Sequence, residues 1–356
     1  MTYLDDGVLR HLRSVVDLPD LSATRYEVIR EIGRGGMGTV YLAHDRDLDR
    51  DVALKVLNAP DPTGDLRRRL VAEARHLARL EHPGIVPVHD VGHLPDERVF
   101  YVMRHVKGVR LDAWRRRASG LTHVLRVFRS LCEVVAFAHA EGVIHRDLKP
   151  ENILAGPFGE VLVLDWGIAK RLRGQATEDD PRPPHAPAVT TRDEPSATAD
   201  VGRTLPGSII GTPTWMAPEQ ARGETASLDE RTDVYGLGAI LYFLLAGRAP
   251  FDDATSRERI LERVMREEPA PLRQIDRIIP KPLAAICAKA MARARDARYA
   301  SAAELASDVD MYQEGRPVTA HREGPIGAAS RVLSRYRAVV LMILAYLVMR
   351  AVMLLI

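Results

Sequence analysis

Cysteine is almost absent from this chain of 356 residues, which has only Cys132 and Cys287. They lie far apart, inside helical patterns and without metal-ligand spacing. That excludes a disulfide-stapled scaffold and leaves two small core residues of a reducing compartment. An excess of one charge sign is also missing: 50 Lys and Arg face 48 Asp and Glu, a net charge of +2. So small an imbalance gives no case for nucleic acid, and the arginine runs Arg67–Arg69 and Arg115–Arg117 read as solvated helix faces. Asp5, Asp6 and Arg10 interrupt any apolar run at the start, so no signal peptide is expected. Internal repeats are lacking too.

What is present is a globular composition, 46% hydrophobic and 28% charged, long enough for one large or two ordinary domains. One long apolar run stands at the end. Between Ala338 and Ile356 the only charged residue is Arg350, and Arg331, Arg335 and Arg337 precede the run. A helix over 338–356 would be roughly 28 Å long, close to the hydrocarbon thickness of a bilayer. The preceding arginines would keep the rest of the chain cytoplasmic, and Arg350 could snorkel to the far interface. The expectation is a membrane anchor at 338–356, single-pass or tail-anchored in the inner membrane. The plainer alternative is a hydrophobic helix docked on the core or on another subunit. Because the sequence ends at Ile356, no external sensing domain is expected.

Along the chain, "YEVIREIG", "GTVYLAHD" and "DVALKVL" alternate as strands around a glycine-rich turn, and "HPGIVPVHDVG" and "RVFYVMRHV" supply two more. A helix is expected over 66–80. Beyond Gly108 the period turns helical, at 121–140, 228–246, 256–267, 281–293 and 301–313. Residues 174–207, rich in Pro, Ala, Thr and acidic side chains, offer too little apolar surface to offset ordering and are expected to be mobile. The expected organisation is an N-terminal extension at 1–25 and a folded region at 26–315. That region divides at 105/106 into a small β-rich part and a larger helical one. A linker at 316–337 leads to the terminal run.

Four stretches carry chemistry. Gly33, Gly35 and Gly38 form a GxGxxG, a spacing that dinucleotide-binding folds also use. Here Thr39, Val40 and Tyr41 continue as a strand rather than a helix. That suits either an ordinary hairpin or one whose bare N–H groups approach phosphates. Lys55 sits inside the apolar strand "VALKVL", on one face with Ala53 and Leu57, where a charge needs a partner. Glu73 lies on the inward face of the next helix, with Leu66, Leu70, Leu77 and Leu80, and could pair with it, structurally or otherwise. "HRDLKPEN", His145–Asn152, is a polar loop between apolar elements. It offers a proton acceptor (Asp147), a cation (Lys149) and an amide oxygen (Asn152). Asp165 ends the strand "VLVL", and carboxylate and amide oxygens are the hard ligands magnesium takes beside phosphate.

With "GTPTWMAPEQ" added, this ordered set resembles the eukaryotic-like (Hanks-type) protein kinases, most of all the bacterial membrane-anchored serine/threonine kinases, over about residues 26–313. The resemblance implies an α+β, bilobal protein kinase fold and an enzyme that uses ATP and Mg2+, with Mn2+ as a substitute. It implies protein substrates bearing Ser or Thr, and leaves a homodimer for autophosphorylation open. By the same resemblance, the nucleotide would be held by Ile32, Gly33, Arg34, Gly35, Gly36, Met37, Gly38, Val40, Ala53, Lys55, Met103, Arg104 and Val106. Met103 would be the gatekeeper and Arg104–Val106 the hinge. Lys55 would hold the phosphates while paired with Glu73. Asp147 would take the substrate proton beside Lys149, and Asn152 and Asp165 would bind magnesium. Thr212 would contact Asp147 and Lys149, Glu219 would pair with Arg298, and Asp233 would brace the catalytic loop. Arg146 marks control by phosphorylation of the 171–212 stretch, with Thr204 and Ser208 the favoured sites. Trp166 stands where the family has Phe. It adds volume and an N–H needing a partner, so the metal site should survive with an altered inward–outward balance. A catalytically impaired membrane scaffold is the alternative, but none of the five key residues is replaced.

Overall fold

The computed structural model describes residues 18–35, 38–60, 68, 80–156, 159–166, 213–224, 227–254 and 256–321, with Met342, Tyr346, Met349 and Arg350. The chain divides into two compact units, one drawn from Met1–Gly108 with Leu162–Ile210, the other from Val109–Val161 with Gly211–Ile356.

The first unit is a five-stranded antiparallel sheet. Its strands are β1 (Tyr26–Gly35), β2 (Gly38–Asp45), β3 (Arg50–Pro60), β4 (Val88–His93) and β5 (Arg98–Arg104), in the order β1-β2-β3-β5-β4. In β3, Val52, Leu54 and Val56 enter a core with Tyr26, Tyr41, Phe100 and Val102. The opposite face, Ala53, Lys55 and Leu57, is buried as well. A strand covered on both sides must be apolar at nearly every position, which is why β3 reads as a continuous run rather than an alternation. Leu21, ahead of the expected boundary at Tyr26, joins the same core.

The second unit is mainly helical. After β6 (Val109–Arg110) come α1 (Leu111–Arg117), α2 (Leu121–Ala140) and the short strand β7 (Ile153–Ala155); β8 (Val161–Val163) follows in sequence, with Leu162 and Val163 counted in the first unit. α2 buries Val124, Leu125, Phe128, Leu131, Cys132 and Val135, a stripe at three- and four-residue spacing. α3 (Glu230–Ala246) is buried over most of its surface. Asp229 caps its start by accepting from the Arg231 N–H, and Gly247 ends it at φ +73°. α4 (Arg257–Arg266), α5 (Lys281–Ala290) and α6 (Ala302–Gln313) complete the labelled helices. α5 packs against α3 at Gly238, where a Cβ would lie 2.8 Å from that of Ala290. The folded chain continues past the expected boundary at 315. Val318 is buried, and Asp308 accepts from the Thr319 and Ala320 N–H groups at 2.6 and 3.0 Å.

Arg115 departs from a purely solvated arginine face. Its Nε donates to the Leu244 carbonyl at 2.6 Å, serving the last turn of α3, while Arg116 and Arg117 are exposed. Both cysteines are buried and free. The expected helix at 66–80, apart from Arg68 and Leu80, and the stretch 174–207 lie outside the described residues. Among the described residues no helix is long and apolar enough to cross a membrane. Of 338–356 only Met342, Tyr346, Met349 and Arg350 are described, each helical and exposed.

Candidate active site

In the sheet unit the glycine motif forms the β1–β2 hairpin, with Gly33 opposite Val40, Arg34 opposite Thr39 and Gly35 opposite Gly38. Gly36 and Met37 lie outside the described residues. The glycines serve different ends. A Cβ on Gly38 would stand 2.2 Å from the Val56 carbonyl oxygen, so β3 itself demands glycine there. A Cβ on Gly35 would meet nothing within 4 Å. Its bareness has no packing reason, which suits a backbone kept open to an approaching group. Register shifts between Val28 and Arg30 and between Glu31 and Gly33 twist β1 just before this turn. Arg34 is exposed and pairs with Glu31 at 2.9 Å. Ile32 and Val40 are half-buried and Ala53 buried. Met103 lies opposite Ala53, and Arg104 opposite Val52. Arg104 is exposed, and Val106 half-buried.

Lys55 is 6% exposed, and its Nζ lies 2.7 Å from Asp165 Oδ1. Burial works against the ammonium charge, but Tyr101 and Asp165 outweigh it and hold the lysine above its ordinary pKa. Burial and the neighbouring Asp165 push the Tyr101 phenol up in turn, so it is neutral near pH 7. The ion pair with Asp165 supports the Lys55 charge against its burial. Glu73, its expected partner, lies outside the described residues. Asp165 sits at φ +54°, a left-handed conformation that costs a non-glycine residue about 1 kcal/mol or more. Beside it Trp166 is 3% exposed, and its Nε1 donates to the Val163 carbonyl at 3.1 Å. The indole N–H thus has its partner within its own strand end, which is itself fastened where the Val163 N–H donates to the Gly84 carbonyl at 2.8 Å.

In the helical unit the loop His145–Asn152 hangs from one buried side chain, Asp233 on α3. Its Oδ2 accepts from the His145 N–H at 2.7 Å and its Oδ1 from the Arg146 N–H at 2.8 Å. His139 Nε2 is 2.9 Å from Oδ2. Burial alone would favour the neutral acid, yet His139 and the His145 N–H hold Asp233 below the usual carboxylate range. This grip matters because Arg146 is left-handed at φ +65°. Gln220 adds a second hold, donating from Nε2 to the Arg146 carbonyl at 2.8 Å.

On this loop Lys149 Nζ stands 3.2 Å from Asp147 Oδ2. Asn152 Nδ2 donates to the Asp147 carbonyl at 2.9 Å, which makes Oδ1 the acceptor end of that amide. Asp147, Lys149 and Asn152 are thus brought together, as Lys55 and Asp165 are in the other unit. Each unit thus presents an oxygen of the kind a hard divalent cation takes, the Asp165 carboxylate in one and the Asn152 amide oxygen in the other. Glu219 and Arg298 form a buried two-point ion pair at 2.7 and 2.8 Å. Thr212 lies outside the described residues. Sequence reasoning passes over Tyr101, His139 and Gln220. Each is an unremarkable member of an apolar or polar run, and only the spatial pairing singles it out.

A sheet unit with a buried Lys–Asp pair and a helical unit with an Asp–Lys–Asn loop define a class, the protein kinase fold. Comparison with known proteins agrees. The protein kinase domain family matches residues 26–308. The serine/threonine-protein kinase PknD of Chlamydia trachomatis is 38% identical over 312 residues, covering 82% of this chain and 32% of its own length. PknD of Protochlamydia amoebophila is 35% identical, covering 82% and 30%. Among solved structures, the PknI kinase domain of Mycobacterium tuberculosis is similar, with a TM-score of 0.59 and 25% identity over 82% of this chain and 96% of that one. The chain belongs to the protein kinase domain family. It spans about a third of the length of the curated relatives it matches.

Proposed function

We propose that this chain is an active serine/threonine protein kinase, moving the γ-phosphate of ATP to Ser and Thr hydroxyls of proteins. The observation that carries this reading is the His145–Asn152 loop, where Asp147 is flanked by Lys149 and Asn152 and the backbone is suspended from Asp233. Asp147 accepts the proton of the substrate hydroxyl as its oxygen bonds to the γ-phosphorus. The bond from phosphorus to the β–γ bridging oxygen breaks, and ADP leaves with the electron pair. Lys149 offsets charge on the transferring group, and Lys55 binds the α- and β-phosphates. Gly33, Gly35 and Gly38 offer backbone N–H groups. Magnesium would neutralise phosphate charge, with Asp165 and Asn152 the donors that the family resemblance implies. Such a reaction needs positioning and charge balance more than covalent help. The test is ATP transfer to a generic basic protein by wild type, Asp147→Asn and Lys55→Met. Transfer should fall by at least a hundredfold in both variants, and equal transfer by all three refutes the reading.

Two finer proposals accompany it. Autophosphorylation between 171 and 212, at Thr204 or Ser208 first, would give Arg146 a phosphate to bind; mass spectrometry after ATP treatment finding none there refutes it. Tethering to the cytoplasmic face of the inner membrane through 338–356 is supported by the composition of that run. Deleting 338–356 should release the protein to the soluble fraction, and retention on membranes refutes the anchor.

A further inference from the structure

Sequence motifs do not single out Tyr101, yet its hydroxyl donates to Asp165 Oδ1 at 3.3 Å. Strand register places it directly opposite Lys55, whose ammonium lies 5.7 Å from the ring centroid. Tyr101 is 3% exposed, and a phenylalanine would fill the same core slot without a polar atom to satisfy. The hydroxyl is therefore the group that needs a reason. Lys55 Nζ ends on the same Oδ1. Two donors on one oxygen set the rotation of the carboxylate about its Cβ–Cγ bond. A lysine alone, with a swivelling ammonium on a flexible stem, fixes it less well. In the kinase reading, on which this inference rests, Lys55 turns to the nucleotide phosphates. The Tyr101 hydroxyl, held on the rigid β5 strand, is the donor that stays.

We propose that Tyr101 is a positioning residue for Asp165, its hydroxyl keeping that carboxylate oriented for magnesium while Lys55 engages the nucleotide. Its effect on the metal runs through Asp165, whose Oδ1 it reaches at 3.3 Å. The signature is in the coupling between metal and nucleotide, since a residue that merely packed would weaken nucleotide binding with and without metal alike.

The experiment is calorimetric titration of ADP into the full chain, in magnesium and in EDTA, for wild type and Tyr101→Phe. The quantity read is the ratio of the two affinities. In Tyr101→Phe the ratio should fall about three- to tenfold, the range for an ordinary hydrogen bond, because at 3.3 Å this one is long. Affinity in EDTA should stay within about twofold of wild type. On an Asp165→Asn background, adding Tyr101→Phe should leave the ratio where Asp165→Asn alone puts it. If Tyr101→Phe does not fold, Tyr101→Met removes the same hydroxyl and is read in the same way. An unchanged ratio, or a further drop on the Asp165→Asn background, overturns the inference. A wild-type ratio near one overturns the metal reading of Asp165, and this inference with it.

Discussion

Arg298 is where the fold stakes most on one side chain. A guanidinium has five N–H donors, and every nitrogen here is engaged. Nε donates to the Ala292 carbonyl at 2.7 Å. Nη1 donates to Glu219 Oε1 at 2.7 Å and the Arg231 carbonyl at 3.0 Å. Nη2 donates to Glu219 Oε2 at 2.8 Å and the Arg293 carbonyl at 3.3 Å. Thr232 Oγ1 adds a bond to Glu219 at 3.1 Å. The side chains are 0% and 2% exposed, so neither charge can turn to water if its partner is removed. Arg298→Met alone, or Glu219→Gln alone, should therefore cost about 3–5 kcal/mol. For a domain of this size that is a fall in Tm of about 6–20 °C. Arg298→Lys, with three donors in place of five, should recover less than half of the loss. The double replacement Glu219→Leu with Arg298→Met should cost less than either single change, because no orphaned charge remains. Calorimetric or fluorescence unfolding measures all four. Single losses below about 1 kcal/mol, or a double cost equal to the sum of the singles, would refute the reasoning. The pair also sets an acid limit. Burial raises the Glu219 pKa, but the hydrogen bonds and charge of Arg298 prevail and hold it below the ordinary value. With the folded pKa depressed, the stabilisation is fully present above the unfolded glutamate value of about 4.3. It is lost as pH falls through the lower folded value.

Asp233→Asn replaces a double acceptor with a group that turns one N–H toward another. It should cost about 1–3 kcal/mol, lower kcat, and speed hydrogen exchange at the His145 and Arg146 amides; unchanged exchange would disprove the suspension of that loop. Gly38→Ala drives a Cβ to 2.2 Å from the Val56 carbonyl oxygen and should destabilise the sheet by about 1–3 kcal/mol. Gly35→Ala should stay within about 0.5 kcal/mol in unfolding yet weaken ATP binding, and the reverse order would sink the division of roles between the two glycines. Trp166→Phe loses the bond to the Val163 carbonyl, about 1 kcal/mol of stability, and should keep magnesium-dependent activity. An inactive Trp166, with activity appearing only in the Phe variant, would show the indole to be a defect.

Much of this is legible in the sequence because periodicity reports burial, and burial follows the fold. The stripe from Val124 to Val135 could only be a helix, and α2 runs over Leu121–Ala140 as its pattern predicts. Lys55 stands out because a charge amid apolar neighbours has to be paired. Periodicity cannot say with what. The nearest candidate by sequence is Glu73, whereas the described partner, Asp165, lies 110 residues on. The pairing of Glu219 with Arg298, 79 residues apart, likewise comes from the family resemblance and from no local pattern. Tyr101 was invisible for the opposite reason: in "RVFYVMR" an aromatic is what a buried strand ought to contain, and only the register against β3 turns its hydroxyl into a question.

The same limit applies to two of the five non-glycine residues with positive φ among the described residues. Arg146 and Asp165 are ordinary letters in the sequence, and both adopt left-handed backbone that most side chains avoid. Neither could hold it unaided. Arg146 is kept there by Asp233 on its N–H and Gln220 on its carbonyl. Asp165 is gripped at the side chain by Lys55 and Tyr101, next to a strand end that Trp166 and Gly84 fasten. Strain of this kind persists only where surrounding contacts over-determine it. In each unit those contacts converge beside a carboxylate that phosphoryl transfer would use, Asp147 in one and Asp165 in the other. Several buried polar groups, Lys55, Tyr101, His139 and Asp233 among them, thus serve to fix the surroundings of two carboxylates, which is what a reaction governed by positioning requires.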